Sequence, residues 1–116
     1  AIANQARKVG QSDDDNDDGN YGTTPPLSAV VLSSTHCAIN CNAQFTPHVD
    51  SGRGAGQSLS VIAGLGNYTN GELIVEGNLF DIRYQPLEFD GWSLRHWTNQ
   101  FHGERFSLVW FTPEMK

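Results

Sequence analysis

The chain has 116 residues, of which 38% are hydrophobic, 10% aromatic and only 17% charged, and it carries a net charge of −6. That length makes one small domain with a modest core. There is no basic face to announce nucleic-acid binding and no apolar run near the ~20 residues a membrane span needs. The acidity is also uneven. Asp13, Asp14, Asp15, Asp17 and Asp18 supply five of the 13 acids, and beyond Leu27 five bases face eight acids, a net of −3.

Residues 1–26 read as an acidic, flexible tail or linker, with almost no bulky apolar side chains and a closing Pro25-Pro26. Asp14-Asp15-Asn16-Asp17-Asp18-Gly19 matches the opening of an EF-hand loop. Pro25 then stands where a bidentate Glu is needed, so a solvated linker is the better reading. Ala1 to Ser12 lack the apolar h-region of a signal peptide.

Residues 27–116 read as the folded domain. Leu27 to Leu32 is a short apolar run of β formers, and Cys37 to Asn40 and Ala43 to Thr46 look extended. Ser51 to Gly56 is a loop, and Ser58 to Ala63 alternates as a strand does. Gly64 to Gly71 is a second turn-rich loop. Glu72 to Glu76 and Leu79 to Tyr84 are strands parted by a hairpin signal at Gly77-Asn78. Leu87-Glu88-Phe89, Trp92 to Trp97 and Arg105 to Phe111 complete about eight short strands. No stretch offers a helix of ten residues, so the class is all-β, a sandwich or jelly roll. Cys37 and Cys41, four apart on a strand, lie too far apart to bridge. Reduced thiols in an intracellular compartment, cytoplasmic or nuclear, are expected, and a zinc site using His36 with both lacks a fourth ligand.

The chemistry centres on Pro47-His48-Val49-Asp50. A His and an Asp two residues apart on a strand share one face. His96 can complete a set of two imidazoles and one carboxylate, which leaves three metal positions open, as in the facial triad of non-haem Fe(II) oxygenases. Arg105 and Ser107 begin the next strand and point the same way.

With these motifs the chain resembles the Fe(II)/2-oxoglutarate dioxygenase superfamily, in its TET/JBP-like or prolyl-hydroxylase-like forms. The matching pieces are His48-Val49-Asp50, Gly66 to Leu73, Phe89-Asp90-Gly91, His96 and Gly103-Glu104-Arg105-Phe106-Ser107, across residues 40–112. In the Gly66–Leu73 block, Asn70 replaces the first glycine of the usual Gly-Gly-Glu-Leu turn. The resemblance implies a double-stranded β-helix (jelly roll, cupin-like). It also implies helices ahead of the core, for which this chain has little room, so the core is expected to be shortened on its N-terminal side. It further implies Fe(II) on His48, Asp50 and His96, with 2-oxoglutarate and O2 as cosubstrates. The far carboxylate of 2-oxoglutarate would meet Arg105, whose guanidinium is planar, always charged and bidentate. Ser107 would add a hydrogen bond, and Tyr68 could reach the cosubstrate from its loop.

The expected reaction is hydroxylation of a substrate C–H bond in a nucleic-acid base or a protein side chain. Two alternatives stay open: an Fe(II) oxygenase using another cosubstrate such as ascorbate, and a non-enzymatic jelly-roll binding module. Arg53 beside the ligands suits either an anionic substrate or solvent, and His102 is expected in an exposed turn. Trp92, Trp97 and Trp110 suit core filling better than stacking on a flat substrate. Asn67-Tyr68-Thr69 fits a glycosylation sequon that nothing else supports.

Overall fold

Alternating apolar residues and closely spaced turns lead the chain into ten short strands, described by a computed structural model over residues 6–8, 33–51 and 59–113. They are β1 (Ala6–Lys8), β2 (His36–Cys41), β3 (Ser60–Leu65), β4 (Tyr68–Asn70), β5 (Leu73–Val75), β6 (Asn78–Phe80), β7 (Leu87–Phe89), β8 (His96–Thr98), β9 (Phe101–Gly103) and β10 (Phe106–Phe111). A five-stranded sheet has the order β1-β7-β3-β10-β2, and a three-stranded sheet has the order β6-β5-β8. The β4–β9 ribbon is separate, and every strand pair is antiparallel. The fold is all-β, as the sequence indicates.

Ile62 of β3, Leu73 and Val75 of β5, Ile82, and Leu87 and Phe89 of β7 form one buried cluster drawn from both sheets. The sheets therefore face each other across a shared core. Each such side chain contributes on the order of 1.5–3 kcal/mol by leaving water. Leu94, Val109 and Ala6 pack against its rim.

Several boundaries differ from the sequence reading. Ala6–Lys8, inside the stretch read as a tail, is an edge strand on β7, registered Ala6 to Phe89 and Lys8 to Leu87. Backbone pairing needs no side-chain pattern, and three residues give too little alternation to read. The stretch read as a loop from Gly64 to Gly71 holds the end of β3 and all of β4. The β5–β6 turn is Glu76-Gly77, one residue earlier than expected, with Val75 opposite Asn78. Both turn residues have positive φ, 49° and 87°, as a type I′ hairpin turn requires. Glu76 is held there by bonds to Arg95 in both directions. Its N–H donates to the Arg95 carbonyl at 2.8 Å, and its Oε1 accepts from the Arg95 N–H at 2.9 Å. Trp92 to Arg95 is not a strand, because Asp90 Oδ1 accepts from the N–H groups of Trp92 and Ser93 and curls the chain. Residues 43–46 form no strand, although the Phe45 carbonyl accepts from the Thr98 N–H of β8 at 3.0 Å, and β6 stops at Phe80. The acidic run, the apolar run Leu27–Leu32 and Arg53 lie outside the described residues.

Candidate metal and anion site

His48 does not lie on a full strand. A single antiparallel bridge to His96 holds it. The His48 N–H donates to the His96 carbonyl at 3.1 Å, and the His96 N–H donates back at 2.9 Å. This pairing sets the two rings side by side, with centroids 4.4 Å apart. Each Nδ1 lies against a carbonyl two residues earlier, His48 on Thr46 at 2.7 Å and His96 on Leu94 at 2.9 Å. A carbonyl only accepts, so both Nδ1 atoms carry hydrogen and both Nε2 atoms of the neutral rings keep a free lone pair. Metal-binding histidines are oriented by such second contacts.

Asp50 completes the set. Its N–H donates to the Gly91 carbonyl at 2.9 Å, and its Oδ1 lies 3.4 Å from His48 Nε2 and 3.5 Å from His96 Nε2. All three ligand atoms fall within 4.8 Å of one another, the one cluster of its kind among the described residues. Neighbouring ligands on one octahedral ion lie roughly 3 Å apart, so the set fits a single ion with little adjustment. Burial pulls the His96 imidazole toward neutrality. Its hydrogen bond to Asp50, the Leu94 carbonyl and the Asp50 charge outweigh burial, leaving its pKa above the ordinary value.

Gly91 touches this geometry directly. A Cβ there would stand 2.5 Å from Asp50 Oδ2 and 3.3 Å from His96 Cε1. Only a residue without a side chain lets the Asp90 turn approach the carboxylate so closely. The sequence reading picked out Phe89-Asp90-Gly91 as a motif but assigned Gly91 no role, since that role depends on a through-space approach.

Arg105 is 1% exposed and lines the same cavity, of about 660 Å³, as His48, Asp50, His96 and Ser107. Its Nε donates to the Gly71 carbonyl at 3.2 Å, and its guanidinium lies over the rings of Tyr68 and Phe101, 5.7 Å from each centroid. Its Nη2 is buried with no hydrogen-bond partner. No carboxylate among the described residues pairs with Arg105, its sequence neighbour Glu104 included. Burial lowers its pKa, opposed by Tyr68, yet a guanidinium remains charged at any physiological pH.

Asn42, unremarked in the sequence, clamps the backbone here. Its N–H donates to the Arg105 carbonyl at 2.7 Å, and its Oδ1 accepts the Arg105 N–H at 2.7 Å. The clamp works because Asn42, the residue after β2, has a φ of 54°, a left-handed conformation Asn tolerates better than most residues.

Five of the six predicted site residues therefore meet on one cavity wall. Tyr68 lies on β4, not in a loop. It packs behind Arg105 and away from the cavity, with its hydroxyl buried and without a hydrogen-bond partner. Burial raises its pKa, and the Arg105 charge opposes that rise. Trp92 and Trp97 line the cavity, whereas Trp110 does not. Phe89 packs edge-on to His96 at 5.0 Å. Cys37 and Cys41 are free and exposed and join no ligand cluster with His36. His102 is exposed, but on β9 instead of in a turn. Compared with protein-family models and with curated proteins, the chain matches none of either.

Proposed function

We propose that this chain is the core of an Fe(II)- and 2-oxoglutarate-dependent dioxygenase that hydroxylates a C–H bond of a nucleic-acid base or a protein side chain. The observation that carries the reading is one cavity holding both a His-Asp-His cluster and a buried guanidinium with an unused Nη2. A cation buried without a counter-charge is costly. A ligand carboxylate that reached it would offset that cost. An oxygenase without an anionic cosubstrate, or a sugar-binding module, would leave Arg105 only its packing contacts with the Gly71 carbonyl and the Tyr68 and Phe101 rings.

Strand order supports a double-stranded β-helix. Successive segments alternate between two sheets: β2 in the large one, the His48 bridge beside the small one, β3 in the large, β5 and β6 in the small. β7, β8 and β10 continue the alternation. In that arrangement β8 and the entry to β10, where Arg105 immediately precedes Phe106, bring His96 and Arg105 to the same mouth as His48.

When bound, Fe(II) supplies the oxidising chemistry: one atom of O2 goes to the substrate C–H bond and one to succinate, with loss of CO2. The residues supply the geometry. His48 and His96 offer Nε2 lone pairs held in place through Nδ1, and Asp50 offers one negative charge. Arg105 takes the far carboxylate of 2-oxoglutarate, Ser107 donates beside it, and Tyr68 supports the guanidinium from behind. Phe89, Ile62, Leu73 and Val109 give the cavity an apolar wall. The free thiols Cys37 and Cys41 suit a reducing, intracellular setting. No helix among the described residues is long and apolar enough to cross a membrane.

The test is consumption of 2-oxoglutarate by Fe(II)-loaded protein, measured as succinate released with and without candidate substrates. Turnover lost in both His48→Ala and Arg105→Met is expected. No succinate release under any condition would sink the cosubstrate assignment.

A further inference from the structure

An open sheet edge is a template for another strand, and proteins usually blunt it with charge, proline, brevity or a bulge. The two ends of the five-stranded sheet differ in this respect. β1 is three residues long and carries Arg7 and Lys8. β2 runs for six residues, His36-Cys37-Ala38-Ile39-Asn40-Cys41, with no Lys, Arg, Asp, Glu or Pro. It pairs only with β10, so its far side is open among the described residues.

Which groups face that open side follows from the register. The Asn42 N–H points at Arg105, one step beyond the Cys41–Phe106 pair. Backbone groups alternate along an antiparallel strand, so His36, Ala38 and Asn40 also face β10. Cys37, Ile39 and Cys41 turn their N–H and carbonyl groups outward. The side chains of Ala38 and Asn40 line the cavity, which places those of Cys37, Ile39 and Cys41 on the opposite face of the sheet. All three are exposed, and Ile39, at 73%, exceeds every other large apolar side chain described.

We propose that β2 is a self-pairing edge: two copies of the chain join β2 to β2 antiparallel about a two-fold axis at Ile39, making one continuous sheet across a homodimer. The residue pattern selects this register. Outward groups must meet outward groups, which excludes any axis between residues. Of the two registers that overlap the strand best, the one centred on Ala38 sets Ile39 against Cys37. The one centred on Ile39 packs the exposed isoleucine on its own counterpart and sets Cys37 of each copy opposite Cys41 of the other. Each of these facing pairs exchanges both N–H···O bonds. On the cavity side Ala38 meets Asn40, and no like charges are opposed. The interface is isologous, as two-fold contacts are, and it braces the β2 wall of the cavity from outside.

The facing thiols provide the test. In a hydrogen-bonded antiparallel pair the Cα atoms lie about 5.5 Å apart, inside the ~4.4–6.8 Å range that disulfides span. Oxidised glutathione, added to the full chain, accepts two electrons and two protons from each facing thiol pair as the S–S bond forms. Under reducing conditions, light scattering on a sizing column is expected to give a dimer, and Ile39→Lys a folded monomer by circular dichroism. Cys37→Ser alone and Cys41→Ser alone should resist cross-linking, because each leaves no facing thiols. An equimolar mixture of the two variants should cross-link, with mass spectrometry finding the Cys37–Cys41 peptide. A monomer across the whole dilution series would overturn the proposal. So would equal cross-linking of the separate variants, or no cross-link in the mixture. None of these readouts depends on metal or turnover, so they stand apart from the dioxygenase reading.

Discussion

Gly91→Ala is the sharpest perturbation the site offers, because it alters no ligand and no charge. The added methyl carbon would sit 2.5 Å from Asp50 Oδ2, 3.0 Å from Phe89 Cε2 and 3.3 Å from His96 Cε1. The first distance is far inside contact, and the carboxylate oxygen is the movable partner, so Asp50 rotates away from the two Nε2 atoms. Displacing the supports of a metal ligand typically lowers affinity 10–100-fold, which corresponds to about 1.4–2.7 kcal/mol. The fold should survive with a smaller penalty, since overpacking one methyl costs roughly 1–3 kcal/mol and Gly91 has no positive φ to lose. Co(II) is a convenient redox-stable probe: its visible absorption, titrated anaerobically into wild type and variant, gives the two affinities directly. Gly91→Ala should weaken Co(II) binding within that range while its circular dichroism matches wild type. Equal affinities would show that Asp50 is not a ligand, or that the Gly91 approach does not set its position.

Three further outcomes follow from the same contacts. Arg105→Met keeps the side-chain volume and removes the charge. Losing one partner of a buried charged pair costs about 2–5 kcal/mol, so 2-oxoglutarate binding to the metal-loaded protein, measured calorimetrically, should weaken at least 30-fold; unchanged affinity would remove Arg105 from the anion site. His96 has a raised pKa in the fold, so the stability it adds to metal-free protein is fully present below its unfolded value of about 6.5 and is lost as pH rises through the folded value. The gap in thermal midpoint between wild type and His96→Gln, taken in chelator, should therefore shrink with rising pH. Metal affinity runs the other way, falling as the proton competes for Nε2, and parallel trends in the two measurements would contradict the assignment. Asn42→Gly relieves the positive φ but removes the Oδ1 acceptor of the Arg105 N–H, so urea unfolding should show a loss near 1 kcal/mol, and Asn42→Ala a larger one.

What could be read from sequence was what chemistry dictates by residue type and order. His48, Asp50, His96, Arg105 and Ser107 are the kinds of side chain a metal and a carboxylate need, and alternation along strands predicted their common face. Their supports were illegible for a physical reason. Gly91 and Asn42 act on Asp50 and Arg105 through space, Asn42 across 63 residues of chain, and neither contact leaves a periodic trace. Local competition explains the misplaced boundaries. Trp92-Ser93-Leu94-Arg95 alternates in polarity, but the Asp90 carboxylate captured the amides of Trp92 and Ser93 before a ladder could. Asp50 also sits on no strand. The bond from its amide to the Gly91 carbonyl does the positioning that alternation was expected to do.

The two halves of the site differ in how they are held, and the difference bears on function. The metal half is assembled from backbone reciprocity: the paired amides of His48 and His96, two carbonyls on Nδ1, and one carbonyl on the Asp50 amide. All of those contacts are satisfied before any ion arrives. The anion half is not satisfied. The Arg105 Nε has Gly71, and two rings cover the guanidinium, yet Nη2 has nothing to bond and no water-facing surface to compensate. A buried polar group left in this state costs about 1–3 kcal/mol, and more when charged. Binding a carboxylate recovers that energy only if the ligand reaches the guanidinium from the cavity, where the metal ligands lie. A ligand with an acid group at one end and metal-binding oxygens at the other, such as the 2-oxo dicarboxylate proposed above, would engage both halves at once.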